Sequence, residues 1–375
     1  MPFLFRVLIG LGLLGIYGCN LDYYWHLARG QSRVVYKRIS VQTLLVRPDL
    51  AEQTRTQLEL IQAILRYAES VGLKTDDQYT TFYDTGGGPI SWNVSACPPD
   101  RFSPYTWDFP FVGEVPYKGF FRRDLADEQR DALAAAGYDA IVRPVSAYST
   151  LGFFSDPILS PMLGYAPDQL ADLILHELTH ALVYAPGQTD YNESLATFVG
   201  RQGSLLFLAQ HFGTDTPLLQ QAEARRADAA LFRRFMAETV AALDSLYSLD
   251  LPRSVVLRDR QVVFVQRQRD FALIKAQFIH NQYDGFLRWE LNNAQLLSYR
   301  RYNANLTLFS AVYRARGEDL ASALEIFAAC AEDDEGRGGP GRRRSPSQRH
   351  QGLFHRWTVT KIADLGVRKP TRNPS

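Results

Sequence analysis

The stretch that decides the fold is APDQLADLILHELTHALVYAPG, residues 166–187. Asp168 after Pro167 offers a helix start, residues 169–184 contain no breaker, and Pro186-Gly187 offers a stop. The spacing predicts a helix of about four turns that carries His176-Glu177-Leu178-Thr179-His180, an HExxH pattern. Two histidines four residues apart share one helix face within reach of a single zinc ion, and the glutamate beside the first can address a water held by that ion. Catalytic zinc keeps three protein ligands and one open position, so a third donor is needed. Asn192-Glu193-Ser194-Leu195-Ala196 supplies Glu193 in the first turn of the next predicted helix. A tight loop over residues 185–191 would fold the two helices into an antiparallel hairpin and bring Glu193 to His180. Competing readings are two core histidines at helical spacing and, for Glu193, a first-turn acid favoured by the helix dipole.

Outward from that stretch, residues 20–75 carry helical periodicity, with apolar positions such as Leu58, Ile61, Leu65 and Ala68. Residues 78–150 read as short strands at 79–83, 90–94, 109–115 and 140–145, split by Gly, Pro and Asp. Zinc-site helices are expected over 168–212, and further helix over 215–330 with long amphipathic stretches at 217–247 and 267–316. From residue 333 to 375 the chain is rich in Gly, Pro, Arg and Ser without periodicity, which predicts a disordered basic tail. The expected fold class is α+β and mostly helical, with one catalytic-sized domain over residues 19–332 and no internal repeat.

The 375 residues carry a net charge of +1, which hides an asymmetry: residues 336–375 hold ten Lys/Arg against one acid, so the body is mildly acidic. The basic tail is therefore no reason to read a nucleic-acid binder, and no nucleic-acid partner is expected. The opening MPFLFRVLIGLGLLGIYGCN has one early Arg, an apolar run too short to span a bilayer, and small residues around Cys19. Residues 1–18 therefore read as a signal peptide. Cys97 and Cys330 are the other two cysteines, and nothing in their spacing pairs them.

HELTH followed by NESLA resembles the HExxH plus NExxA arrangement of the gluzincin metallopeptidases. The wider string over residues 143–200, with blocks at 90–121 and LNNAQLLSYRRY at 291–302, is similar to a bacterial family of predicted aminopeptidase lipoproteins. The Gly18-Cys19 pair resembles a lipobox, which implies that Cys19 is acylated and holds the body on a membrane. Asn20 after it then favours the outer membrane, on its periplasmic face. Carried over position by position, the resemblance implies a gluzincin-like domain with one zinc held by His176, His180 and Glu193, Glu177 as general base, and a peptide substrate. The oxyanion donor it implies is a tyrosine: Tyr148, Tyr184, Tyr299 and Tyr302 are candidates, with Tyr299 and Tyr302 preferred because they follow Asn292-Asn293-Ala294. By analogy with the gluzincin layout, residues 147–151 would form an edge strand for the substrate. An aminopeptidase also needs an acid for the substrate amine, and Asp156, Glu114 and Asp108 are equal candidates. Thr197 stands where thermolysin-like enzymes carry an acid that orients a zinc-binding histidine. The resemblance alone supplies "aminopeptidase"; a zinc endopeptidase and a non-catalytic zinc-containing envelope protein are the rival readings.

Overall fold

The computed structural model describes residues 21–109, 113–145, 155–185, 188–303 and 305–337. The expected leader, Cys19, Asn20, Tyr148, the 147–151 segment, Pro186-Gly187 and the chain beyond residue 337 lie outside the described residues. Among the described residues no helix is long and apolar enough to cross a membrane. The architecture is mostly helical with small sheets, in agreement with the α+β expectation.

The chain begins with α1 (Leu21–Lys37), β1 (Ile39–Ser40), α2 (Val41–Leu45) and α3 (Glu52–Ser70). Strands β2 (Thr81–Tyr83), β3 (Ser91–Cys97), β4 (Trp107–Phe109), β5 (Gly113–Val115) and β6 (Lys118–Phe120) follow. Helix α4 (Arg123–Ala135) then separates them from β7 (Asp139–Val145) and β8 (Ile158–Leu159). Strand β3 is the centre of an antiparallel sheet ordered β6-β3-β7, with Trp92 opposite Phe120 and Val94 opposite Val142. A second sheet sets β2 between antiparallel β1 and parallel β8, and β4 pairs β5 as a hairpin.

Helix α4 was expected to be part of a strand-rich region. It buries only Ala126 and Leu133, too little for an apolar period to show, and is instead laced by Arg123–Asp127 and Arg130–Asp127 pairs. The expected strand at 109–115 is likewise divided, its two ends lying in β4 and β5.

The helical part comprises α5 (Pro167–Leu182), α6 (Thr189–Phe212), α7 (Pro217–Tyr247), α8 (Arg253–Ile274), α9 (Asn293–Asn303), α10 (Leu306–Ala315) and α11 (Leu320–Arg337). The main core is built where α5 and α6 meet α3, α10 and α11. Helix α5 contributes Leu170, Ala171, Ile174, Leu175 and Leu178, all buried at helical spacing. Each such leucine or isoleucine contributes about 1.5–3 kcal/mol relative to exposure.

A second, largely aromatic core joins α7, α8 and α9 through Phe232 and Phe235, Phe264 and Phe271, and Leu296, with Phe286 from the segment before α9. It explains why the expected amphipathic stretch at 267–316 is not one helix. Residues 275–292 leave helical geometry except for short 3-10 turns, and Phe278, Tyr283, Phe286 and Trp289 turn into this core. Buried Asp228 on α7 accepts the backbone N–H groups of Ile279 and His280, which holds the break in place. Helix α11 runs to Arg337, past residue 333 where the tail was expected to begin. Cys97 and Cys330 are both buried, and no disulfide joins them.

Candidate metal centre

The centre forms where α5 crosses α6. Pro167 is the first residue of α5, and Asp168 is not its N-cap as expected: it accepts two bonds from Arg225 of α7, at 2.6 and 2.8 Å. Helix α5 ends after Leu182 and α6 begins at Thr189, three residues before the expected Asn192, so Glu193 lies past the first helical turn of α6; a turn joins the two helices. Asn192 stitches that turn, since its side-chain oxygen accepts the Ala185 N–H and its amide donates to the Ala185 carbonyl, each at 2.9 Å. Both bonds are buried, so they fix the place of the next residue, Glu193. Two glycines let the helices close on each other. A Cβ at Gly200 would collide with the carboxylate and carbonyl of Asp172, and one at Gly203 would press on Leu175.

The hairpin brings His176, His180 and Glu193 together, with one ligand atom from each within 4.8 Å of the others. The two histidine Nε2 atoms are 3.2 Å apart, and Glu193 Oε2 lies 3.4 Å from His176 Nε2 and 3.7 Å from His180 Nε2. Four ligands at about 2.0–2.2 Å around zinc occupy tetrahedral corners about 3.3–3.6 Å apart. The three edges, 3.2, 3.4 and 3.7 Å, lie within about 0.1 Å of that range, so the group could hold a metal ion. Two imidazole Nε2 atoms aimed at each other and at a carboxylate are also the donor chemistry of such a site. Burial alone would raise the Glu193 carboxyl, but the His176 and His180 imidazoles outweigh it and hold the group below the carboxylate range. Burial lowers His176, and the Glu193 bond with the charges of Glu177, Glu193 and Asp172 more than restores it, leaving a net rise.

The surroundings of the donors come from distant segments. Asp172, one turn before His176 on α5, is raised by burial, against the opposing charges of Arg201, Arg226 and His176. It places an acid beside a candidate ligand although Thr197 is not one. His180 Nδ1 is buried with no partner among the described residues. Tyr302 on α9 stacks on His176 with ring centroids 6.1 Å apart. The Glu193 charge and then burial raise its phenol. Helix α9 is anchored for this by Asn293, whose amide donates to Pro98 O at 2.9 Å and whose backbone N–H donates to Asp139 at 2.8 Å. Burial, and then the Glu193 charge, raise the Tyr184 phenol.

Tyr299, the other preferred tyrosine, is not brought to the donors. Its ring stands perpendicular to Phe232 at 5.5 Å, packed on the aromatic core. It lies three residues before Tyr302, offset by about 60° and about 4.5 Å along α9, and packs into the aromatic core instead. Of the three acids, Asp108 and Glu114 are exposed on the β4–β5 hairpin, while Asp156 is buried. Asp156 and Glu177 both act on Tyr79, whose phenol is raised first by burial and then by their charges. Tyr79 has a left-handed backbone (φ 58°), pinned where its N–H donates to Asp156 O at 2.8 Å. Such a conformation is costly for a bulky residue and is kept only where the surroundings demand it.

Sequence reasoning missed Asp172, Tyr117, Arg143 and Arg301. Burial raises the Tyr117 phenol first, followed by Glu193, and the Arg301 guanidinium sits 5.7 Å from its ring centroid. Tyr117, Arg143 and Arg301 each lie in a block that carries the resemblance, which marked the region without marking the residue.

Residues 22–337 match the family model described as "Putative aminopeptidase". The chain belongs to that family. Membership supports peptidase function in general, and with it a peptide substrate. No curated protein matches the chain, and no solved structure does.

Proposed function

We propose that the chain is a zinc-dependent aminopeptidase that hydrolyses N-terminal peptide bonds in the cell envelope. The observation that carries this reading is the convergence of the His176, His180 and Glu193 donors, with Glu177 beside a donor but outside the set. These three residues would hold zinc. Bound there, zinc would polarise a peptide carbonyl and lower the pKa of a water. Glu177 takes the proton from the attacking water and passes it to the departing amine, a role worth on the order of 10²–10⁴ in rate. Tyr302 donates its phenolic hydrogen to the oxyanion that develops on the substrate carbonyl. It stays protonated because the nearby Glu193 charge and burial both oppose ionisation. Asp156 takes the substrate's α-ammonium group. Acyl chains on Cys19 would hold the body at the outer membrane on its periplasmic face, each buried methylene contributing about 0.8 kcal/mol.

Fluorophore release from free-amino and N-blocked peptides, before and after treatment with a chelator, tests this reading. Expected are release from the free-amino substrate alone, loss on chelation, and recovery when zinc is returned. Equal cleavage of blocked substrates would make the protein an endopeptidase. A zinc-loaded protein that cleaves neither would sink the peptidase mechanism.

A further inference from the structure

We propose that Arg301 and Arg143 form a subsite beside the metal centre for a carboxylate of the substrate. The proposal takes from the peptidase reading only that the ligand is a peptide. The Arg301 side chain is 6% exposed, and its nearest acid, Asp190, lies 3.7 Å from Nε. That is too long for a hydrogen bond, and Nε has no partner in the described structure. The guanidinium makes no hydrogen bond to any other described residue.

Burying a guanidinium without acceptors is costly, and two other arginines of this fold meet that cost with acceptors. Arg260, equally buried, donates to Pro99 O at 2.6 Å and to Asp139 at 3.2 Å. Arg225 takes both oxygens of Asp168. Arg301 alone of these three leaves its fork unfilled, and a planar fork of N–H donors fits a carboxylate in bidentate fashion.

The position of Arg301 ties it to the centre. It precedes Tyr302, which stacks on His176, and its guanidinium lies over the Tyr117 ring. Arg143 on β7 joins it from the sheet. Arg143 donates to Ser298 Oγ, one turn before Arg301 on α9, stays solvent-exposed, and forms no ion pair among the described residues. The Arg301 charge acts on the Arg143 guanidinium as a repulsion. An anion between the two cations would relieve that repulsion. A peptide brings such an anion as its free C-terminal carboxylate, when the peptide is short, or as an acidic side chain.

Binding separates this proposal from the catalytic one. Calorimetry on zinc-loaded Glu177→Gln would compare leucyl-glycine with its amide, and leucyl-glutamate amide with leucyl-glutamine amide. One carboxylate member is expected to bind about tenfold or more tighter than its neutral counterpart. The pair that shows the preference identifies the source of the carboxylate. Adding Arg301→Gln should bring that ratio close to one with little change for the neutral peptide. Adding the exposed Arg143→Gln, which does not disturb a buried position, should reduce it. Absence of any carboxylate preference overturns the subsite, as does an equal loss for acid and amide in Arg301→Gln. A preference that persists in a protein that hydrolyses nothing would support the subsite and count only against the aminopeptidase reading.

Discussion

On the hairpin side of the centre, Gly200 and Gly203 let α6 lie hard against α5, and Asn192 closes the turn with two buried hydrogen bonds. On the α9 side, Arg301 is buried without a hydrogen bond, and Arg143 has one side-chain partner and no acid. The first wall spends its residues on satisfying one another, which fixes three donors at mutual distances of 3.2–3.7 Å. The second keeps polar groups in reserve. Substitutions in the first wall should therefore disturb metal and fold together, and those in the second should disturb the handling of substrate alone. Glu177 is the exception that tests the division, because it stands on the first wall without being a donor.

The largest effect is expected there. Glu177→Gln should retain zinc and melting temperature while losing about 10²–10⁴-fold in kcat. Glu193→Ala removes a donor and should be both metal-poor and inactive. Metal analysis beside peptidase assays reads the split. Near wild-type turnover in Glu177→Gln would end the assigned mechanism, and loss of zinc from it would mean that the ligands are misassigned.

The same division explains what could be read before any coordinates existed. His176, His180 and Glu193 sit four and thirteen positions apart on consecutive helices, so helical spacing and one short turn bring them together. The 217–247 helix was legible for a similar local reason, and the structure gives it the same bounds. Tyr117, Arg143 and Arg301 meet only because β6, β7 and α9 assemble across most of the chain, and no local period records that. Helix α4 was hidden because charge pairs, not an apolar stripe, support it. The 275–292 break was hidden because its aromatic residues keep a helix-like spacing while filling a separate core. The resemblance locates a block that holds both Tyr299 and Tyr302; the structure stacks Tyr302 on His176 and packs Tyr299 on the aromatic core, a division that no local spacing records.

A smaller effect should follow from Gly200→Ala. The added methyl group falls on the backbone carbonyl and carboxylate of Asp172, so α5 and α6 must separate. Overpacking of this kind typically costs about 1–3 kcal/mol. Because the same crossing positions the three donors, zinc affinity should fall with the melting temperature. Thermal unfolding with and without zinc reads both. A variant that melts several degrees lower yet binds zinc with unchanged affinity would show that donor geometry does not depend on the close crossing.

The paired tyrosines bear on the second wall, and the smallest expected effect is that of Tyr299→Phe. Tyr302→Phe keeps the ring that stacks on His176 and removes only the hydroxyl, so zinc content and stability should hold. A hydrogen bond to a developing anion is worth about 1.5–3 kcal/mol, so kcat should drop by about tenfold or more with KM little changed. Tyr299→Phe keeps the perpendicular contact with Phe232 in the aromatic core and removes a hydroxyl that does not stand at the donors, so kcat should stay within about twofold. Steady-state kinetics on the two variants make the comparison direct. Equal losses in both would place their effect in the packing of α9 as a unit. A loss confined to Tyr299→Phe would return the oxyanion role to the residue that the structure turns away from the donors.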